Sequence, residues 1–173
     1  MTAQNLWAPW RLEYVTGTKP DGCVLCAKQH DDDRSALVIA RGEHVFAVLN
    51  LYPYNNGHLM VVPHRHVAEL DELTDEESRE AQVFLTRGIR AARAALGPGG
   101  FNVGLNLGEA AGAGIAQHLH WHLVPRWQGD TNFMPVLADV RVMPQHLDTT
   151  WTLLRDAWMR DEQPAQEGST DGM

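Results

Sequence analysis

The sequence predicts an α+β fold in which one long helix and one shorter helix pack on a five-stranded, mainly antiparallel sheet. Three observations carry this prediction: five short apolar runs rich in β-branched residues, one long amphipathic segment behind a helix-capping motif, and no regular alternation of strand and helix. The chain of 173 residues suits one domain, which we expect to span residues 1–161.

The strands are predicted from short apolar segments bounded by turn-forming residues. A turn rich in Tyr, Pro, Asn and Gly at 52–57 separates the second segment from the third. Strands this short suggest a meander, in which each strand pairs with the next. The five segments are 36–40, 45–50, 58–62, 101–107 and 118–124.

The long helix is predicted to begin after Thr74, because Thr74 and Glu77 form a capping-box pattern with acidic residues in the first turn. Apolar residues then recur at three-to-four spacing until Gly97 and Pro98, which end the helix. The second helix is expected within 139–160. Residues 1–35 read as irregular, and 162–173 as a disordered tail with too few apolar side chains to offset the entropy of ordering.

Composition limits the possible partners and location. The net charge of −8 and a pI of about 5.5 argue against binding a nucleic acid polymer through a broad basic surface, but a compact phosphate ligand in a pocket stays possible. No apolar run approaches the roughly 20 residues of a membrane span, and the N-terminus lacks the apolar core of a signal peptide. We therefore expect a cytoplasmic protein without membrane contact.

The chain has two cysteines, Cys23 and Cys26, in a C-x-x-C pair. In a reducing compartment this spacing indicates metal binding or redox chemistry more than a structural disulfide. Two ligands alone do not make a zinc site. A thioredoxin-like motif would require a following βαβ unit, and a polar loop follows instead.

Three histidines alternate in the segment AQHLHWHLVPRW, at His118, His120 and His122. In an extended strand these side chains share one face, while Leu119, Trp121 and Leu123 face the other. A helix would scatter the imidazoles and leave no apolar stripe. The pattern therefore predicts a strand that packs through one face and presents an imidazole row to a site, although ordinary surface or core histidines are the simpler alternative.

Two chemistries fit such a row. Two of the imidazoles could bind a catalytic zinc ion together with a third ligand from elsewhere. Alternatively, one imidazole attacks phosphorus and forms a phosphoramidate, which splits one difficult displacement into two easier ones. The second role requires a neutral imidazole whose other N–H is held by a carbonyl, and flanking histidines could then donate to oxygens on which charge develops.

The triad resembles the His-φ-His-φ-His-φ-φ signature of the histidine triad (HIT) family, where φ is an apolar residue. Asn50 with the segment 56–66 (NGHLMVVPHRH) is similar to the nucleotide-pocket strand of that family, and 106–112 (NLGEAAG) is similar to its phosphate loop. The segments 6–11 and 129–136 extend the resemblance to the bacterial branch of diadenosine tetraphosphate phosphorylases and hydrolases.

The resemblance implies an enzyme that acts on a nucleotide, and homodimers of a five-stranded protomer. It makes His120 the nucleophile, places His122 at the α-phosphate and leaving group, and puts His58 behind the nucleophile. It also implies that Asn50 reaches the ribose and Asn106 the phosphate oxygens.

The glycine-rich loop before the triad departs from the family pattern. Many members carry a hydroxyl residue there, whereas 112–117 of this chain is GAGIAQ and has none. Backbone N–H groups of such a loop could still cradle phosphate, so Gly112, Gly114 and Gln117 are candidate nucleotide-binding residues. The departure leaves the identity of the leaving group and of the acceptor open.

The resemblance also implies a structural zinc site, because some members of the superfamily bind zinc through an early C-x-x-C pair. The corresponding ligands here are Cys23, Cys26, His66 and His118, a set suited to tetrahedral zinc. Two buried free thiols are the alternative.

We therefore expect cleavage at the α-phosphorus of a nucleoside polyphosphate or dinucleoside polyphosphate through a nucleotidyl-histidine. Water as acceptor would make the enzyme a hydrolase, inorganic phosphate a phosphorylase, and another phosphate ester a transferase. The rival hypotheses are a zinc-dependent hydrolase that uses the triad as ligands, and a nucleotide-binding module without turnover.

Overall fold

The computed structural model describes residues 22–130 and 145–162. Several expectations lie outside these ranges: the irregular segment before Gly22, the resemblance at 6–11, most of that at 129–136, the start of the second helix at 139–144, and the tail after Glu162. In the described part of the chain, no helix is both long enough and apolar enough to cross a membrane.

Five strands form one sheet in the order β1-β2-β3-β5-β4, and all four neighbouring pairs are antiparallel. With the helices this confirms the predicted α+β class. The strands are β1 (Val38–Arg41), β2 (Val45–Leu49), β3 (Leu59–Pro63), β4 (Gly100–Leu105) and β5 (Trp121–Arg126).

The meander prediction is wrong at one place, because β5 lies between β3 and β4. The long helix separates β3 from β4 in the chain and carries β4 to the edge of the sheet. The last strand then pairs with both of them, through Leu59–Leu123 on one side and Val103–Leu123 on the other. This order places β5, which carries His122, between β3 and the edge strand β4.

Within residues 22–130 and 145–162, four α-helices accompany the sheet: α1 (Val24–Ala27), α2 (Asp33–Ala36), α3 (Asp75–Leu96) and α4 (Leu147–Glu162). The prediction of irregular structure before residue 36 is therefore wrong at the two short helices α1 and α2. The capping box at α3 is confirmed, since the Thr74 side chain accepts from the Glu77 N–H and the Glu77 carboxylate accepts from the Thr74 N–H. Gly97 ends α3 in the left-handed conformation. Glu162, predicted in the disordered tail, is instead the last helical residue and pairs with Arg87.

The two faces of the sheet have different coverings. One face packs on α3 and α4, with Leu59, Leu123 and Trp158 in its core. The other face carries a smaller apolar cluster that includes Leu25 of α1 and Met60 of β3. His122 pairs with Met60 in the ladder and therefore lies on the second face, away from the two long helices.

Strands β1 and β5 begin later than predicted, at Val38 and Trp121 instead of 36 and 118, for local reasons. Residues 36–37 precede β1 because the Asp32 side chain caps α2, and Leu37 leaves that helix with a positive φ of 62°. At the fifth strand, the ladder with β3 starts only at Trp121, opposite Val61. Beyond that pair β3 reaches Pro63, which has no N–H to offer a neighbouring strand.

Candidate active site and metal centre

A tight turn between β2 and β3 positions one side of the site. The Asn55 amide donates to Pro125 O at 3.1 Å and to the Asp130 carboxylate at 2.7 Å, which ties the turn to the end of β5. Gly57 has a φ of +72°, and a Cβ there would come within 2.4 Å of the Leu96 side chain. The turn therefore delivers His58 to the start of β3 in a fixed position.

The triad does not lie on a single regular strand. Only His122 is inside β5, whereas His118 and His120 precede it. The Leu119 N–H donates to Val67 O at 2.7 Å, so this stretch runs beside the segment that follows β3. All three imidazoles are buried, with exposures of 0%, 5% and 9% along the chain.

The imidazole of His118 is oriented by a backbone carbonyl. Its Nε2 lies 2.9 Å from Pro63 O, and a carbonyl can only accept, so Nε2 carries the proton. The lone pair is left on Nδ1, which faces the sulfurs of Cys23 at 3.2 Å and Cys26 at 3.5 Å. His118 thus turns toward a cysteine cluster and away from the other two imidazoles.

That cluster comprises Cys23, Cys26, His66 and His118, whose four ligand atoms all lie within 4.8 Å of one another. The His66 Nδ1 is 3.2 Å from the Cys26 sulfur. Zinc bonds of 2.0 to 2.3 Å imply tetrahedron edges of about 3.3 to 3.8 Å, close to these separations. Burial and the neighbouring Cys23 raise the pKa of the Cys26 thiol, and a bound cation would oppose this by favouring the thiolate. The donor set fits zinc.

His120 has the opposite tautomer to His118. Its Nδ1 lies 2.8 Å from His118 O, so Nδ1 carries the proton and Nε2 keeps its lone pair. Burial lowers the pKa of His120, although the hydrogen bond to His118 opposes this shift. A neutral imidazole with a free Nε2 lone pair is the form that can act as a nucleophile.

His122 and His58 form a direct pair, with 2.9 Å between His122 Nδ1 and His58 Nε2. Burial, and secondarily the neighbouring His120, lowers the pKa of His122 to about 4. The His120 and His122 rings meet edge to face at 4.8 Å between centroids. His58 therefore lies behind His122, and not directly behind the expected nucleophile His120.

Asn50 and Tyr54 complete this part of the site. The Asn50 side chain accepts from the Tyr52 N–H at 2.9 Å, and its amide nitrogen is 3.4 Å from His58 Nδ1. The Tyr54 N–H donates to the same Nδ1 at 3.0 Å. The Tyr54 ring packs against both His58 and His122, with centroids 4.7 and 5.6 Å apart.

The predicted phosphate loop runs from Asn106, just after β4, to Gln117. The β4–β5 ladder ends at the Leu105–Trp121 pair, so Asn106 follows on the side of His120. Glu109–Ala111 form a 3₁₀ turn, and the Gly112 N–H closes it by donating to Glu109 O at 2.9 Å. That N–H is thus already engaged within the loop. Gly114 and Gln117 are exposed and lead directly into His118.

A family model described as the HIT domain matches residues 32–129. The chain belongs to the HIT family. The match covers the turn at His58, the glycine-rich loop and the whole triad.

Relatives within the family agree with this assignment. The chain is 47% identical over 166 residues to a Mycobacterium tuberculosis protein named AP-4-A phosphorylase. The alignment covers 91% of this chain and 85% of the relative. A zinc-bound HIT-family protein from Mycobacterium smegmatis has a TM-score of 0.66 at 30% identity, over 80% of this chain and 94% of that one. A HIT-family protein from Bacillus subtilis has a TM-score of 0.57 at 25% identity, over 84% of this chain and 99% of that one.

The groups that orient the imidazoles in this HIT-family chain cannot be identified from residue type. Pro63 O and His118 O are backbone acceptors, and the Tyr54 N–H is a backbone donor, so no residue type marks them. Asp130 accepts from Asn55 and also pairs with Arg126. Its segment, 129–136, was used only for its similarity to family members, so no role was predicted for Asp130. The one available signal was the density of turn formers at 52–57, which indicated a tight turn before His58.

Proposed function

We propose that this protein cleaves dinucleoside polyphosphates such as diadenosine tetraphosphate at an α-phosphorus, through a nucleotidyl group carried on His120. The observation that carries the proposal is the hydrogen bond from His120 Nδ1–H to His118 O, which leaves the Nε2 lone pair available. In the first step, Nε2 bonds to the α-phosphorus and the bond to the bridging oxygen breaks. The departing nucleotide is ATP when diadenosine tetraphosphate is the substrate.

The second step removes the nucleotidyl group from His120. Inorganic phosphate as acceptor would give ADP, and water would give AMP. The 47% identity to a protein named AP-4-A phosphorylase supports phosphate as the acceptor. We therefore propose a phosphorylase, in which ADP and ATP are the paired products, even though the glycine-rich loop lacks the hydroxyl residue common in the family.

The oxygens of the transferred group need donors as negative charge shifts toward the leaving group. His122 lies beside His120 and is neutral at physiological pH because of its lowered pKa. We propose that it donates to the bridging or non-bridging oxygens at the α-phosphorus. Asn106 and the N–H groups around Gly114 and Gln117 are the proposed contacts to the remaining phosphates, and Asn50 is the proposed ribose contact.

We propose that Cys23, Cys26, His66 and His118 hold a zinc ion with a structural role. A closed set of four protein ligands leaves no open position for a substrate, which is the arrangement of structural zinc sites. The Nε2–H of His118 bonded to Pro63 O is the outer hydrogen bond that metal-ligating histidines usually make. The zinc-bound M. smegmatis relative supports the same assignment.

The geometry argues against the rival in which the triad binds a catalytic zinc ion. Among the residues that the structure describes, the metal-ligand cluster includes His118 but neither His120 nor His122. The Nδ1 atoms of those two imidazoles are engaged by His118 O and by His58. They are held as a nucleophile and its neighbour, each with one nitrogen turned to the site.

We also propose that the protein is a homodimer, as the family resemblance implies. Strand β4 lies at the edge of the sheet, and Asn102, Val103 and Gly104 are exposed there. Val103 exposes 47% of its surface, which is unusual for an apolar residue on a strand and suits pairing with a second copy. Sedimentation velocity would test this, with the dimer expected to weaken in Val103→Lys.

Product analysis tests the proposed reaction. Purified protein is incubated with diadenosine tetraphosphate, with and without inorganic phosphate. We expect ADP and ATP in equal amounts with phosphate present, no reaction in His120→Ala, and wild-type activity in the control His30→Ala, which changes an exposed histidine outside the site. AMP and ATP without phosphate would make the protein a hydrolase, and turnover by His120→Ala would overturn the nucleophile assignment.

A further inference from the structure

The turn before β3 sends two N–H donors to the same nitrogen of His58. The Tyr54 backbone N–H lies 3.0 Å from His58 Nδ1, and the Asn50 side-chain nitrogen lies 3.4 Å from it. The orientation of the Asn50 amide is fixed because its oxygen accepts from the Tyr52 N–H at 2.9 Å. The Tyr54 N–H and the Asn50 amide N–H are both donors, and Nδ1 must accept from them.

An accepting Nδ1 decides where the His58 proton is. An imidazole that accepts at Nδ1 carries its proton on Nε2. His58 Nε2 lies 2.9 Å from His122 Nδ1, so His58 donates and His122 Nδ1 accepts. The same rule applied once more places the proton of His122 on Nε2, the nitrogen turned away from His58.

The result is a pair of neighbouring imidazoles with opposite tautomers. His120 has its proton on Nδ1 because His118 O accepts there, and His122 has its proton on Nε2 because His58 donates to its Nδ1. One ring thus offers a lone pair and the other offers an N–H.

The surroundings of His58 protect this arrangement. His58 is fully buried, and the Tyr54 ring packs against both His58 and His122. In such a site a buried N–H or lone pair without its partner is costly, so alternative tautomers that break the chain are disfavoured.

We propose that His58 is a positioning residue that holds His122 as its Nε2–H tautomer and so makes His122 a hydrogen-bond donor to the substrate. This role rests on the proposed function, in which His120 is the nucleophile and His122 donates to the phosphate oxygens. The selecting element is the turn 50–54: its Tyr54 N–H and Asn50 amide choose the tautomer of His58, and His58 transmits the choice to His122. His58 itself does not touch the substrate.

Nitrogen-15 NMR of histidine-labelled protein tests the tautomers without any turnover. We expect His122 and His58 to show protonated Nε2 and unprotonated Nδ1, and His120 to show the reverse. In His58→Phe, we expect His122 to lose its single tautomer. His58→Gln, which retains an N–H of similar reach, should restore it, and His30→Ala, which changes an exposed histidine outside the site, should leave it unchanged. A protonated Nδ1 on His122 in the wild-type protein would overturn the proposal.

Kinetics with aryl esters of AMP separates this role from simple structural support. A 4-nitrophenyl ester leaves readily as an anion, whereas a phenyl ester depends more on a donor. We expect His58→Phe to reduce kcat for the phenyl ester about 10²-fold, in the range found for loss of one oxyanion donor, and to reduce it much less for the nitrophenyl ester, with KM little changed. Equal losses for both esters would indicate a merely structural role.

The two tests distinguish failure of this inference from failure of the proposed function. If His120→Ala retained activity, the nucleophile would be wrong, whereas the tautomer of His122 would still be read directly by NMR. Suppose that His120→Ala were inactive, but that in His58→Phe the His122 tautomer and the kinetics were those of the wild type. Only the positioning role of His58 would then be refuted.

Discussion

The two ends of the histidine triad share a sequence pattern but have opposite surroundings. The Nδ1 atom of His118 lies in a cluster with the sulfurs of Cys23 and Cys26 and the imidazole of His66. The Nδ1 atoms of His120 and His122 instead face His118 O and His58 Nε2. The neighbours that select each available nitrogen are Pro63 O at the end of β3, His118 O within the triad, and His58 just before β3. Residue type supplies the imidazoles, and we propose that the fold assigns one of them to a metal site and two to chemistry.

Separate removal of the His120 and His118 imidazoles should have the largest effects. We expect His120→Ala to lose at least 10³-fold in turnover of diadenosine tetraphosphate while its melting temperature stays close to that of the wild type, because the residue is proposed as the nucleophile. We expect His118→Ala to lose both zinc and stability. Steady-state kinetics and thermal denaturation of the two variants would check this, and equal losses of stability would contradict the separation of roles.

Loss of a single sulfur should have the next largest effect. Since binding energy of a structural zinc ion contributes to folding, we expect Cys26→Ala to bind no zinc in stoichiometric amount and to melt on the order of 10 °C lower. Metal analysis and thermal denaturation would measure both. A chelator should destabilise the wild-type protein and leave Cys26→Ala unaffected; the same response in both would show that the metal lies elsewhere.

At acidic pH, His122 should lower the stability of the folded protein. Its pKa is lowered to about 4 by burial, whereas the unfolded chain takes up a proton near the ordinary value of 6.5. Because the unfolded state binds more protons between these values, this residue reduces stability as the pH falls from about 6.5 to about 4, and not further below that. An NMR titration would show His122 still neutral at pH 5.5; a midpoint near 6.5 would refute the burial argument.

The smallest expected effect is in the glycine-rich loop. Gly112 ends the 3₁₀ turn with a φ of 84°, and an added Cβ would meet only open space, so Gly112→Ala would carry only backbone strain, about 1 kcal/mol. We expect a fall of about 2 to 4 °C in melting temperature. Gly100→Ala is the matched control, since Gly100 also faces open space but has no positive φ. Equal effects would remove the strain argument.

The sequence was sufficient for features that depend on local chemistry. The capping box at Thr74, the stop at Gly97 and the five strands follow from patterns that operate within a few residues. The position of β5 between β3 and β4 depends on how the chain returns across the sheet, which periodicity does not encode.

The site shows the same division between local and tertiary information. The alternation of histidines correctly marked a cluster of imidazoles, and family resemblance grouped the four atoms of the metal cluster. The expected single strand was wrong because the His118 side chain bonds to Pro63 O and the Leu119 N–H bonds to Val67 O, about 50 positions earlier in the chain. The contact between His58 and His122 also depends on the fold, because the pairing of β3 with β5 brings together residues 64 positions apart.

The most direct test of the account is to trap the nucleotidyl group on His120. Protein mixed with diadenosine tetraphosphate in the absence of phosphate is quenched in alkali, which preserves phosphoramidates, and its peptides are analysed by mass spectrometry. We predict AMP attached to the peptide that contains His120, and its loss on adding inorganic phosphate with release of ADP. If diadenosine tetraphosphate were turned over but no modified peptide were found at rapid-quench times, a nucleotidyl group on His120 would be contradicted.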